Sequence, residues 1–264
     1  MFENKVVLVT GSGRGIGAAI ARHFASLGAD VVVNYFRNPG PAHETADSIR
    51  KLGRKVLLVK ANMGEIEDIE HLFEAIDKEF HGLDFFIHNA ASGYNRPVMQ
   101  QRVKGWDWTM NINARSLLFA AQRATPLMVK RGGGAIVAVS SPGAGRVLPD
   151  YVVVGASKAA IEAITRYLAV ELASHNIVVN AISPGMVLTE ALQHFEMVRT
   201  DVHLAEKAAS ITPAGRLVEP QDIAEVVAFL CSPAASMIRG QVIVVDGGAS
   251  LLAPGLEKLP TDKP

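Results

Sequence analysis

Cysteine is nearly absent from this chain: Cys231 is the single one in 264 residues. A lone thiol excludes an intramolecular disulfide framework and a zinc site of the multi-cysteine kind. It reads as a small apolar core residue rather than a nucleophile. A charge excess is missing too, because 26 basic and 26 acidic side chains cancel to a formal net charge of zero. That balance excludes the basic surplus of a dedicated nucleic-acid binder and the self-repulsion of a disordered chain. Long apolar runs are lacking: the longest covers residues 226–231, against roughly 18 residues needed to span a bilayer. Residues 1–5 (MFENK) pass straight into a strand-like run, with no signal-peptide pattern. None of the eight histidines falls in a metal-ligand spacing such as H-E-x-x-H, so no metal is expected. The expectation is a cytoplasmic protein with neither nucleic-acid nor membrane partners.

What is present is 49% apolar residue content in a regular alternation. Residues 6–9, 31–33, 56–59, 85–87, 135–139, 177–182 and 242–245 are short runs apolar on both faces, as parallel strands covered on both sides require. Between them, residues 18–26, 42–52, 66–80, 106–130, 158–174 and 221–231 carry helical spacing, and Pro126 is expected to bend or end part of the fourth. The pattern predicts a single α/β domain, a doubly wound Rossmann-type sheet of seven parallel strands over residues 1–248. Residues 188–213 are too long for an ordinary connection and suggest a substrate lid. Residues 249–264, rich in proline near the end, suggest a C-terminal tail.

The first turn carries the strongest local signal. Thr10-Gly11-Ser12-Gly13-Arg14-Gly15-Ile16-Gly17 joins the first strand to the first helix. Glycines there turn the chain sharply and bring backbone N–H groups and a helix N-terminus to a diphosphate. G-x-G-x-x-G is not met, because Ile16 stands at its third glycine, but Thr-Gly-x-x-x-Gly-x-Gly is. The second strand ends without the carboxylate that usually holds ribose hydroxyls, since Asp30 stands at its beginning. Arg14 and Arg37 are placed to meet a 2′-phosphate, which favours NADPH; either arginine also reads as a solvated surface charge.

These features, with Asn89-Ala90-Ala91, Asn113, Ser140-Ser141, a tyrosine/lysine pair and residues 180–185 (NAISPG), resemble the short-chain dehydrogenase/reductase superfamily over residues 4–248. Ordinary carbonyl reductases of that superfamily carry Tyr-x-x-x-Lys, whereas Val154 stands four residues before Lys158. The nearest tyrosine is Tyr151, seven residues before Lys158. That spacing is similar to the superfamily's enoyl-acyl-carrier-protein reductases. Residues 89–99 (NAASGYNRPVM), 106–114 (WDWTMNINA) and 166–171 (RYLAVE) resemble the NADPH-dependent FabL type, or enoyl reductase III. At about 100° per residue, seven residues return to nearly the same helical face roughly 10 Å along the axis. Tyr151 is then set back from the lysine, which suits the carbonyl oxygen of a conjugated thioester that accepts hydride at C3.

The resemblance implies that Tyr151 stabilises the enolate oxygen and that Lys158 holds the nicotinamide ribose. Ser141 either polarises the thioester carbonyl or belongs to a turn. Asn113 either holds a relay water or is a buried structural amide. Asn62 and Met63 match positions that flank adenine, and Asn89, Ala90 and Ala91 match the adenine-ribose segment. Pro184, Gly185, Val187 and Thr189 match the nicotinamide segment. Tyr94 reads equally as an acyl-chain contact or loop packing. Trp106 and Trp108 read as packing the start of a helix, His88 as a packing residue, and His194 and His203 as solvated positions in the suspected lid. The implied substrate is a trans-2-enoyl thioester on acyl carrier protein or coenzyme A. Arg96, Arg102, Lys104, Arg199 and Lys207 could form a basic rim for an acidic carrier, or be scattered solvated charges. The family implies a homotetramer. The rivals are a 3-oxoacyl or other ketone reductase and a non-catalytic NADPH-binding regulator.

Overall fold

Val7 on β1 (Val6–Val9) pairs in parallel with Val31 on β2 (Asp30–Tyr35) and with Phe85 on β4 (Phe85–His88). Strand order therefore reverses about β1, and the complete sheet runs β3-β2-β1-β4-β5-β6-β7. Its other strands are β3 (Val56–Lys60), β5 (Gly134–Val139), β6 (Ile177–Pro184) and β7 (Val242–Val245). The computed structural model describes residues 1–187 and 204–252. The seven-stranded parallel Rossmann-type sheet is as the alternation of apolar runs predicts.

Successive strand side chains alternate between the two faces, and each face has its own core. Val7, Val9, Val31 and Val33 join Ile20 and Phe24 of α1 (Gly15–Ser26), Ile49 of α2 (Pro39–Lys51), and Ile223 and Val227 of α8 (Pro220–Leu230). Val6, Leu8, Val32 and Phe86 join Leu72 and Ile76 of α3 (Ile66–Phe80), Leu117 of α5 (Ser116–Val129), and Ile161 and Leu168 of α6 (Val152–Glu171). Each such fully buried side chain contributes about 1.5–3 kcal/mol relative to exposure. Among the described residues, no helix is long and apolar enough to cross a membrane.

Three helical expectations are corrected. Residues 106–130 are not one helix: α4 (Val103–Met110) meets α5 through a π-helical turn, Asn111–Arg115. Of the two effects expected of Pro126, ending the helix is not seen: it lies inside α5, and Lys130 N–H donates to Pro126 O at 3.2 Å. α6 begins at Val152 rather than residue 158, its β-branched opening being stabilised by burial of Val153 and Val154. Tyr151 consequently sits at the cap of α6 and not on its face. Residues 204–211 of the expected lid form α7 (Leu204–Ile211), while 188–203 lie outside the described residues. The expected tail starts in a 3₁₀ turn, Ala249–Leu251, where Asp246 Oδ2 accepts from Ser250 N–H at 2.7 Å and Arg146 donates to Ser250 O at 2.6 Å. Residues 253–264 lie outside the described residues.

Candidate active site

The β1–α1 turn is braced from behind. Asn34, buried on β2, accepts from Gly11 N–H at 3.1 Å and donates to Ala61 O at 3.1 Å. Ser12 Oγ donates to Val9 O at 2.7 Å and accepts from Asn34 N–H at 3.2 Å. Thr10 Oγ1 accepts from the N–H groups of Asn89 and Ala90, both at 3.0 Å. Gly11 lies at φ +63°, where an added Cβ would meet the Ala90 backbone at 2.9 Å. At Gly17 it would meet Asn89 Nδ2 at 2.5 Å. The first intrahelical bond of α1 is Ala18 N–H to Arg14 O, so the amides of Gly15, Ile16 and Gly17 have no helical acceptors. This is a cradle for an anionic group.

A cleft of ≈ 760 Å³ opens over that turn at the carboxyl ends of the strands, where the strand order reverses. It is lined by Gly11, Gly13, Arg14, Gly15, Ile16 and Gly17, by Arg37, Asn62 and Met63, and by Asn89, Ala90 and Ala91. Ser141, Tyr151 and Lys158 line its other end with Pro184, Gly185 and Val187. Two expected site residues lie apart from it. Ser12 is fully buried with its hydroxyl turned into the sheet. Asn113 is also fully buried: its Oδ1 accepts from Ser92 N–H at 2.9 Å and its Nδ2 donates to Ser157 Oγ at 2.9 Å. Thr189, Arg199, His194 and His203 lie outside the described residues.

At the Lys158 end, the lysine is 5% exposed and donates to Val139 O at 2.7 Å. Burial lowers its pKa to about 8. The Tyr151 hydroxyl donates to Ser141 Oγ at 3.4 Å, and burial raises the phenol above its usual value. Gly143 makes room for that ring, since a Cβ there would lie 2.6 Å from Tyr151 Cδ1 and Cε1. Val154 is buried and its Cγ2 is packed against the Gly93 backbone, so the position four residues before Lys158 is closed as well as apolar. Ser141 Oγ also accepts from Gly143 N–H at 3.2 Å, as the turn reading expects, and the residue lines the cleft.

The cleft contains residues that the sequence did not single out. Ile112 and Met186 line it, as does Trp108, expected only to pack the start of a helix. Trp108 Nε1 donates to Ser92 Oγ at 2.9 Å, and the Arg37 guanidinium lies over the indole at 5.1 Å. Trp106 is instead 44% exposed. His88 is buried with Nε2 2.7 Å from Ser116 Oγ, and burial foremost, then the Lys158 charge, lowers its pKa to about 3. Burial pushes the Cys231 thiol far up, leaving it a protonated core residue.

The family described as Enoyl-(Acyl carrier protein) reductase matches residues 11–250. The Hydroxynaphthalene reductase-like protein Arp2 of Metarhizium robertsii (strain ARSEF 23 / ATCC MYA-3075) is 37% identical over 257 residues, covering 94% of this chain and 96% of that protein. The 1-cyclohexenylcarbonyl-CoA reductase of Streptomyces collinus is 36% identical over 252 residues, covering 96% and 89%. Among solved structures, 7 alpha-hydroxysteroid dehydrogenase complexed with NADH and 7-oxo glycochenodeoxycholic acid has a TM-score of 0.86 at 32% identity, covering 94% of each chain. The chain belongs to this reductase family within the short-chain dehydrogenase/reductase superfamily. It is an oxidoreductase of that superfamily.

Proposed function

We propose that the chain reduces the C2=C3 bond of trans-2-enoyl thioesters with NADPH, in fatty-acid or related acyl-chain biosynthesis. The observation that carries this reading is the displaced tyrosine: Tyr151 stands at the cap of α6, while Val154 and Gly93 close the position four residues before Lys158. A donor set back in this way suits an oxygen three bonds from the carbon receiving hydride. The names of the matched family and of the Streptomyces relative agree with it.

The residues present fit a nicotinamide dinucleotide. The glycine cradle and the first amides of α1 would take its diphosphate, Asn62 and Met63 would flank the adenine, and residues 184–187, which line the other end of the cleft, would flank the nicotinamide. Asp30 lies at the far end of β2, and Arg14 and Arg37 line the cleft and would meet a 2′-phosphate, which favours NADPH. When bound, that cofactor supplies the hydride to C3.

Tyr151 donates a hydrogen bond to the thioester oxygen as negative charge develops there. Ser141 holds the phenol in position. Lys158, cationic below about pH 8, holds the ribose hydroxyls and favours negative charge at the same oxygen. A proton then adds at C2. Asn113 acts from behind, fixing Ser92, which lines the cleft, and buried Ser157, the neighbour of Lys158.

Carrier and assembly are part of the proposal. Arg102 and Lys104 are exposed and Arg96 partly so, which suits an acidic acyl carrier protein, with coenzyme A as the other carrier. Leu118 and Phe119 on α5 and Tyr167 and Val170 on α6 are exposed apolar side chains that suit a homotetramer. A second reading, carbonyl reduction, is favoured by the hydroxynaphthalene reductase-like relative and by the 7-oxo ligand of the steroid dehydrogenase. NADPH-oxidation assays with crotonyl and acetoacetyl thioesters separate the two.

A further inference from the structure

Arg37 is the one cationic side chain at the end of β2 facing the cleft, and its setting is unusual. Its guanidinium carbon lies 5.1 Å from the Trp108 ring centroid and 5.7 Å from that of Phe36. Trp108 belongs to α4 and Arg37 follows β2, so the pair joins two separate elements that line the cleft. The indole is itself held: Nε1 donates to Ser92 Oγ at 2.9 Å, and Ser92 N–H donates to the buried Asn113 at 2.9 Å. Among the described residues, no acceptor engages the N–H groups of Arg37.

A guanidinium held over an indole by cation–π attraction can still offer N–H groups for a planar, two-pronged contact with phosphate oxygens. A freely solvated arginine must lose rotamer freedom to make that contact, and one already drawn to a ring loses less. We propose that Trp108 is a specificity-determining residue for the cofactor: it positions Arg37 to read the 2′-phosphate of NADPH. This rests on the reading that the cleft takes NADPH. The tryptophan touches no phosphate; it acts through the arginine, and its loss penalises only a nucleotide that carries the 2′ group.

Calorimetric titration of the full chain, free of any activity readout, tests this. Trp108→Ala is expected to weaken NADPH binding by about five- to tenfold while the NADH dissociation constant stays within about twofold. Trp108→Phe, which retains a ring face, is expected to recover part of the loss. Equal weakening of both cofactors, or no weakening of NADPH, overturns the proposal. A second measurement does not depend on Trp108→Ala folding. Trp106→Phe leaves Trp108 as the single tryptophan, and 2′,5′-ADP should quench or shift its emission where 5′-ADP does so less. Identical responses to the two nucleotides overturn the proposal. Tighter binding of NADH than NADPH by the unaltered chain would instead overturn the underlying cofactor reading.

Discussion

The Tyr151 hydroxyl donates to Ser141 Oγ across 3.4 Å, at the cap of α6 rather than along it. The contact is long for a hydroxyl pair. Tyr151→Phe is expected to lower kcat on an enoyl thioester by about 100-fold or more, the range of a lost proton donor. Its NADPH dissociation constant should stay within about twofold. Ser141→Ala, which removes the support of the phenol together with the cap on Gly143 N–H, should cost about tenfold in kcat. Steady-state kinetics beside cofactor titration separates the two effects.

Gly143 offers an independent test of where the tyrosine must sit. A methyl there would lie 2.6 Å from two carbons of the Tyr151 ring, whereas one at nearby Gly145 meets nothing within 4 Å. Gly143→Ala is expected to lower kcat at least about tenfold with cofactor binding preserved, because small displacements of a catalytic group are costly. Gly145→Ala serves as the control and should stay close to the parent.

Lys158 sets two opposite trends in one pH window. Burial lowers its pKa to about 8 from an ordinary 10.5, so the folded chain binds fewer protons than the unfolded chain between those values. Stability therefore rises with pH across that window. The charge that favours the developing oxyanion is lost over the same interval. The account predicts that kcat/KM falls above about pH 8 while the urea midpoint increases, and that Lys158→Met flattens the stability trend.

His88 produces the corresponding effect in acid. Its buried ring has a pKa lowered to about 3 from 6.5, so it is neutral in the folded chain where the unfolded chain would protonate it. The stability it contributes is complete above pH 6.5 and is lost as pH falls toward 3, on the order of a few kcal/mol. His88→Gln should make the melting temperature less sensitive to pH over that range, as followed by thermal denaturation.

The strands were legible because each is a short run apolar on both faces, and a parallel sheet demands that pattern. The glycine turn, the missing carboxylate after β2 and the Val154 substitution were legible for the same reason: each is local. What was hidden depends on distant partners. The π turn at Asn111–Arg115 accompanies inward bonds from Asn113 to residues 21 and 44 positions away. Ser12 reads as a cofactor contact from its place among glycines, but its hydroxyl closes onto Val9 and Asn34 within the fold. Trp108 reads as helix packing until β2 brings Arg37 over its ring. The early start of α6 was masked by three consecutive valines, residues 152–154, whose strand preference is outweighed by burial of two of them.

Double-bond reduction is tested most directly by NADPH oxidation measured in parallel on crotonyl and acetoacetyl thioesters, each on coenzyme A and on acyl carrier protein. The account predicts that the crotonyl substrate is turned over at least about 100-fold faster in kcat/KM on its better carrier, with butyryl thioester as product. Preferential reduction of the acetoacetyl thioester to the 3-hydroxy product, with the crotonyl substrate untouched, would contradict it.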